Sequence, residues 1–124
     1  MLLTIRAPDR LVLAVDRIHD RWFDVDAITY DSNARTVSIP FWSRPTRRPP
    51  IDQVTGQHEP FDDLLVVHDA DEPRINDPEE IGTYTFNDIV VRGNQILIRA
   101  DPNVRISCDT GSLHITVGEN APNG

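Results

Sequence analysis

An acidic segment, residues 59–80, holds the side chains of this chain best suited to bind a cation. It carries nine carboxylates and one arginine, a net charge of −8 that equals the formal charge of the whole chain. Within it, Asp69, Asp71 and Glu72 directly follow an apolar run. Two carboxylates two residues apart at the end of a strand can converge on one hard cation. The sequence therefore predicts a divalent-metal site, or a metal-dependent enzyme, at these three residues.

This segment resembles two known metal-binding motifs, but it lacks the structural context that each of them requires. A strand ending in Asp-x-Asp is similar to the metal site of haloacid-dehalogenase phosphatases, but those enzymes need a parallel sheet, a longer chain and a basic residue that is usually lysine, which this chain lacks. Counted from Asp69, Asp77 and Glu80 fall at positions 9 and 12 of a calcium loop. Arg74 occupies position 6, where an EF-hand requires glycine. The pattern excludes an EF-hand and leaves looser calcium binding open, with Asp77 or Glu80 as further ligands.

The same charge can instead face a basic protein partner. A second contact is expected from a cluster of aromatic and arginine residues at 41–50. Three arginines are few against a charge of −8, so nucleic acid is not an expected partner. Alternatively, this cluster lies against the acidic segment within the chain, which would make the charge structural. The predicted partner-binding residues are Asp77, Glu79, Glu80, Trp42, Arg44, Arg47 and Arg48.

Other motifs that resemble catalytic sets lack the context that catalysis requires. Residues 109–112 spell the Asp-Thr-Gly-Ser signature of aspartic proteases, but they lie near the end of the chain and consist of ordinary turn residues. The four histidines are isolated from one another in the sequence. Cys108 is expected on the inner face of a strand as a buried, inert thiol. We therefore predict a non-enzymatic interaction or binding module, with the metal site as the alternative.

Composition indicates one globular domain. Apolar residues make up 39% of the 124-residue chain, and no run approaches the ~20 residues of a membrane helix. A single cysteine forms no internal disulfide, which favours a reducing, cytoplasmic location. The domain is expected over residues 1–118, and residues 119–124 are expected to form a disordered tail.

The N-terminal part predicts a helix. Apolar residues recur at helical spacing from Leu11 to Trp22, which predicts an amphipathic helix over residues 9–23. The competing interpretation is a strand followed by a shorter helix. Residues 2–6 are expected to form an edge strand or a frayed lead-in.

The remainder predicts antiparallel strands. Two β-rich runs flank a turn near residue 32 and form a hairpin, in which Pro40 places the second strand at an edge or ends it. A short apolar strand is expected at 64–68. Four runs within residues 83–117 predict a meander that pairs Cys108 with Leu113, with a bulge at Asn87–Asp88.

Together these elements predict an α+β fold: an N-terminal amphipathic helix packed on one antiparallel sheet of about five or six strands that ends in a C-terminal β-meander. The longest loop, residues 43–60, separates the hairpin from the acidic segment. A third function, binding of a small molecule between helix and sheet, would use the aromatic residues Trp22, Tyr30, Phe41 and Tyr84.

Overall fold

The described residues form two five-stranded antiparallel sheets and one short helix near the N-terminus. A computed structural model describes residues 2–45 and 60–119. The helix α1 spans Leu11–Ile18, and two 3-10 turns span Pro8–Arg10 and Val25–Ala27. The strands are β1 (Leu2–Ile5), β2 (Trp22–Asp24), β3 (Thr29–Asp31), β4 (Thr36–Phe41), β5 (Asp63–Val67), β6 (Arg74–Asn76), β7 (Thr83–Arg92), β8 (Gln95–Asp101), β9 (Val104–Asp109) and β10 (Ile115–Glu119).

The first sheet has the strand order β1-β10-β5-β4-β3, and the second has the order β2-β7-β8-β9-β6. Side chains from both sheets form one buried cluster. For example, the ring of Phe41 in the first sheet contacts that of Phe86 in the second edge to face, with centroids 5.7 Å apart. The antiparallel α+β class is therefore confirmed, but the single sheet of five or six strands is wrong.

The predicted pairing of Cys108 with Leu113 is also wrong. Strand β9 pairs with β8 and β6, whereas β10 pairs with β1 and β5 in the other sheet. The meander therefore comprises β7, β8 and β9 and stops there. Both β9 and β10 alternate buried and outward residues, and this pattern is the same whether two strands are neighbours or face each other across a core.

Helix α1 ends at Ile18, five residues before its predicted end at residue 23. His19 has extended ψ, and Asp20 has a φ of 62°, which reverses the chain into β2. Leu11, Ala14 and Ile18 are buried against the core, so the predicted amphipathic packing is confirmed. Among the described residues, no helix has the length and apolar composition needed to cross a membrane.

Several local predictions are confirmed. Strands β3 and β4 form the expected hairpin, whose turn is held by the Asp31 carboxylate accepting from two backbone N–H groups. Strand β1 lies at a sheet edge. The register between β7 and β8 shifts at Phe86/Asp88, as the predicted bulge requires. The prediction that Pro40 places its strand at an edge or ends it is wrong, because β4 lies between β5 and β3 and continues to Phe41. The proline is tolerated because it lies beyond Ser38, the last partner of β4 in β3.

Among the described strands the chain changes sheet four times, after β1, β2, β5 and β9. The crossings after β5 and after β9 lie side by side. The backbone N–H of His68 donates to His114 O at 2.9 Å, and Ala70 pairs with Thr110. These contacts join the β5–β10 pair of the first sheet to the β6–β9 pair of the second. The two pairs thus form one two-stranded ribbon that bends from the first sheet into the second. We call residues 68–71 and 109–114 the corner.

Two predicted segments, the longest loop and the C-terminal tail, lie mostly outside the described residues. Residues 46–59, which make up most of the longest loop, lie outside the described residues. So do residues 120–124 of the predicted tail, although Glu119 belongs to β10.

Candidate functional site

The corner brings the Asp-x-Asp and Asp-Thr-Gly-Ser motifs together. Asp69 has a φ of 52°, and its carboxylate lies against Gly111, where an added Cβ would be 2.5 Å from Oδ2. Ser112 Oγ donates to the same oxygen at 3.0 Å, and Gly111 N–H donates to Asp69 O at 3.0 Å. The glycine of the protease-like motif therefore makes room for the aspartate of the metal-like motif.

Both aspartates of the Asp-x-Asp motif bind one arginine from the β3–β4 turn. Arg35 Nη1 lies 2.8 Å from Asp69 Oδ1, and Arg35 Nη2 lies 2.9 Å from Asp71 Oδ1. The hydrogen bond to Asp71 raises the pKa of Arg35 above its ordinary value. The two carboxylates thus converge on a cation, as the spacing predicts, but this cation is a guanidinium of the same chain.

The predicted metal ligands occupy this arrangement as follows. Asp69 and Asp71 hold Arg35, while Glu72 is exposed at the start of the next loop. Within residues 2–45 and 60–119, no three His, Cys, Asp or Glu side chains are grouped in a way that could hold a metal ion. A divalent cation at the Asp-x-Asp carboxylates would have to displace the guanidinium, so metal binding there stays a prediction.

A second arginine neutralises the other carboxylate of the corner. Arg74 donates to both carboxylate oxygens of Asp109, at 3.0 and 3.3 Å. These bonds lower the pKa of Asp109, so the group is ionised at neutral pH. An ionised aspartate with its own arginine does not share a proton with another aspartate, as a protease pair does. Beside it, burial raises the pKa of the Cys108 thiol to about 11, which leaves that sulfur neutral and unreactive.

In the acidic segment, the aspartates and the glutamates differ in whether their carboxylates have partners. All five of its aspartates have partners in the described structure: Asp62, Asp63, Asp69, Asp71 and Asp77. Its three described glutamates, Glu72, Glu79 and Glu80, are exposed, and their carboxylates have no hydrogen bond or ion pair among the described residues. The aspartates therefore serve the fold, and the outward charge of the segment comes from the glutamates.

Residues 77–82, here called the acidic loop, are held by one buried hydroxyl. Tyr84 Oη donates to the Asp77 carboxylate and accepts from the backbone N–H groups of Ile81 and Gly82, at 3.0 and 3.1 Å. Burial and the hydrogen bond to Asp77 raise the pKa of Tyr84. Because Glu80 and Gly82 both have positive φ, the loop is a tight turn whose shape depends on this anchor.

The predicted aromatic and arginine contacts lie in different environments. Trp42 is 4% exposed, and its indole Nε1 donates to Pro60 O at 2.7 Å, so its ring belongs to the interior. Arg44 is exposed, whereas Arg47 and Arg48 fall outside the described residues. The described counter-charges of the acidic segment are instead Arg17, Arg21 and Arg35. Of the aromatic residues suggested for a small-molecule pocket, Phe41 and Tyr84 are buried in the core.

Two histidines that are far apart in the sequence stack at the corner. The rings of His68 and His114 are 4.1 Å apart with a 19° angle between their planes, and His68 Nε2 lies 3.0 Å from Thr116 Oγ1. Burial, followed by His114 and then Arg6, lowers the pKa of His68, and burial with Arg6 lowers that of His114. Sequence spacing gave no sign of this pair, which depends on the pairing of β5 with β10.

Acidification is expected to destabilise the protein through this pair. Because the folded-state pKa values are lowered, the unfolded chain binds protons first, below its ordinary histidine pKa of about 6.5. The stabilisation is complete above that pH and is lost as the pH falls through the folded pKa values. Thermal unfolding midpoints measured from pH 7.5 to pH 5 should therefore fall, and His68→Gln should flatten the curve. A matched change at exposed His19 should keep the wild-type slope; equal slopes in all three proteins would contradict the assignment.

Comparisons with known proteins do not assign this chain to a family. No family model matches it, and no curated protein matches it. Among solved structures, it is similar to the crystal structure of an uncharacterized protein from Neisseria gonorrhoeae, with 12% sequence identity and a TM-score of 0.41 over 93% of this chain and 96% of that one.

Proposed function

We propose that the protein is a non-enzymatic interaction module that binds a basic protein partner through the acidic loop. The observation that carries the proposal is the Tyr84 anchor, which fixes the loop while the Glu79 and Glu80 carboxylates keep no partner within the described residues. A loop fixed before binding loses less conformational entropy when a partner docks. Glu72, which precedes β6 in the chain, is a further exposed carboxylate of the acidic segment.

The division between aspartates and glutamates supports this proposal. Carboxylates already paired with arginine contribute little to a field felt outside the molecule, because the two charges cancel at a distance. The unpaired glutamates remain as the source of attraction for a basic surface. Exposed charges of this kind mainly raise the rate of association and make it sensitive to salt. A cytoplasmic setting, favoured by the single cysteine, is part of the proposal.

Reversing both charges of the loop should weaken partner binding by roughly tenfold, since each exposed charge contact contributes up to about 1 kcal/mol. The bait proteins are the wild type and Glu79→Lys/Glu80→Lys, used to capture partners from a lysate of the source cell at low and high salt. Affinity for the captured protein is then measured by calorimetry at two salt concentrations.

A matched control distinguishes an effect of the acidic loop from an effect of net charge. Asp9→Lys/Asp16→Lys changes the charge by the same amount on exposed positions near and on α1. The proposal expects this control to bind like the wild type. Equal weakening in both double variants, or capture of no salt-sensitive partner by the wild type, would contradict it.

A further inference from the structure

A pocket opens on the outward face of the second sheet, at the end where β8 turns into β9. Its volume is about 320 Å³, within the range of ligand sites in proteins. The polar side chains that line it are Asn87, Arg99, Asp101, Asn103 and Arg105. None of these residues belongs to the corner or to the acidic loop.

Two arginines of this pocket lie directly opposite each other. Arg99 on β8 and Arg105 on β9 are cross-strand partners, so both side chains leave the same face of the sheet. The Cβ atoms of such a pair are about 5 Å apart, and like charges at this spacing destabilise a sheet. An arrangement that opposes local stability in a pocket is typical of a binding site.

The two guanidinium groups differ in their partners. Arg99 Nε donates to Asp88 Oδ1 at 2.7 Å, and its Nη2 donates to the other oxygen of the same carboxylate. Arg99 lowers the pKa of Asp88, so this ion pair persists at neutral pH. Arg105 is exposed and makes no hydrogen bond or ion pair with any described residue. The pocket thus contains one oriented guanidinium and one that has no ion pair with any described residue.

We infer that this pocket binds the phosphate or carboxylate group of a small polar molecule between Arg99 and Arg105. Arginine presents parallel N–H donors whose spacing matches both anions. The side-chain amides of Asn87 and Asn103 supply further donors, and Asp101 can accept from a hydroxyl group of the ligand. A bound anion would offset the repulsion between the two arginines.

The test is ligand-induced stabilisation at constant ionic strength. The thermal midpoint is measured with inorganic phosphate, glucose 6-phosphate or succinate up to 20 mM, with sodium chloride replacing each salt in the reference. A ligand that binds only the folded state raises the midpoint by mass action. We expect at least one of these probes to raise the midpoint, and Arg105→Gln to weaken its apparent affinity by about tenfold. The phosphates and succinate, compared separately, distinguish the two anions.

Arg92→Gln is the matched control, because Arg92 is an exposed arginine at the far end of β7 and does not line the pocket. It should respond to the probes as the wild type does. Equal loss in Arg92→Gln and Arg105→Gln would show a general effect of charge and overturn the inference. Absence of any shift in the wild type up to 20 mM would overturn it as well.

Discussion

Asp63→Asn is expected to lower the free energy of unfolding by about 3 kcal/mol, the low end for breaking a buried ion pair. Asp63 is 2% exposed, and one of its carboxylate oxygens accepts from Arg17 Nε at 3.1 Å and from Nη2 at 2.9 Å. Neutralising it leaves a guanidinium at the helix–sheet boundary without its main carboxylate. Because the Arg17 side chain keeps 25% of its surface in water, the cost stays below that of a fully buried charge.

Urea denaturation measures this effect, with Asp16→Asn on the exposed face of α1 as the control, expected within about 0.5 kcal/mol of the wild type. A second pair of variants tests the cause. If the cost arises from the abandoned arginine, adding Arg17→Met to Asp63→Leu should recover at least about 1 kcal/mol. Additive losses in the double variant would instead assign the effect to packing alone.

Tyr84→Phe is expected to destabilise the protein by about 2 kcal/mol, although it removes a single oxygen. That oxygen satisfies two backbone N–H groups, from Ile81 and Gly82, and one carboxylate, from Asp77. Without it, the acidic loop loses its anchor and the N–H of Gly82 is left in a buried position. Hydrogen exchange should become faster at Ile81 and Gly82 while the amides of β8 and β9 shift only with global stability.

Tyr30→Phe serves as the control, since its hydroxyl makes one hydrogen bond, to Ala70 O at 2.9 Å. It should cost about 1 kcal/mol and leave exchange in the acidic loop unchanged. The Tyr84 variant also tests the proposed function, because it alters no charge. Weaker partner binding by Tyr84→Phe would indicate that the fixed shape of the loop matters, whereas unchanged binding and unchanged exchange would contradict the anchoring role.

The sequence predicted most local pairings correctly, except that of Cys108 with Leu113, and it did not predict the division into two sheets. The β3–β4 hairpin and the bulge at Asn87–Asp88 were predictable because turn residues and interrupted alternation act over a few positions. The placement of β9 and β10 in different sheets was not. Residues 109–114 carry ordinary turn residues, and the same residues serve a hairpin or a crossing between sheets.

The helix boundary failed for a related reason. Trp22 continues the helical apolar spacing, yet it begins β2 because the chain turns at Asp20. Both conformations place Trp22 near the core, so periodicity could not separate them. The positive φ of Asp20 is uncommon for a residue other than glycine, and the apolar pattern does not signal it.

The candidate site shows the same limit. Asp69 and Asp71 were singled out from their spacing, but Arg35 is 34 and 36 residues away in the sequence and comes close only through the pairing of β4 with β5. The loop containing Arg47 and Arg48 is closer in sequence to the acidic segment, so it was the expected source of positive charge. Which arginine meets which carboxylate depends on strand order, and composition carries no information about that order.

The bent ribbon of the corner also bears on how the chain acquires its structure. Its partners are far apart in sequence, as the 48-residue separation of His68 and Thr116 shows, and β10 lies between β1 and β5. High contact order of this kind slows folding, typically into milliseconds to seconds. During synthesis from the N-terminus, β1 and β5 have no shared neighbour until residues 115–119 emerge. The first sheet therefore closes late, and the two sheets are expected to form in one cooperative step.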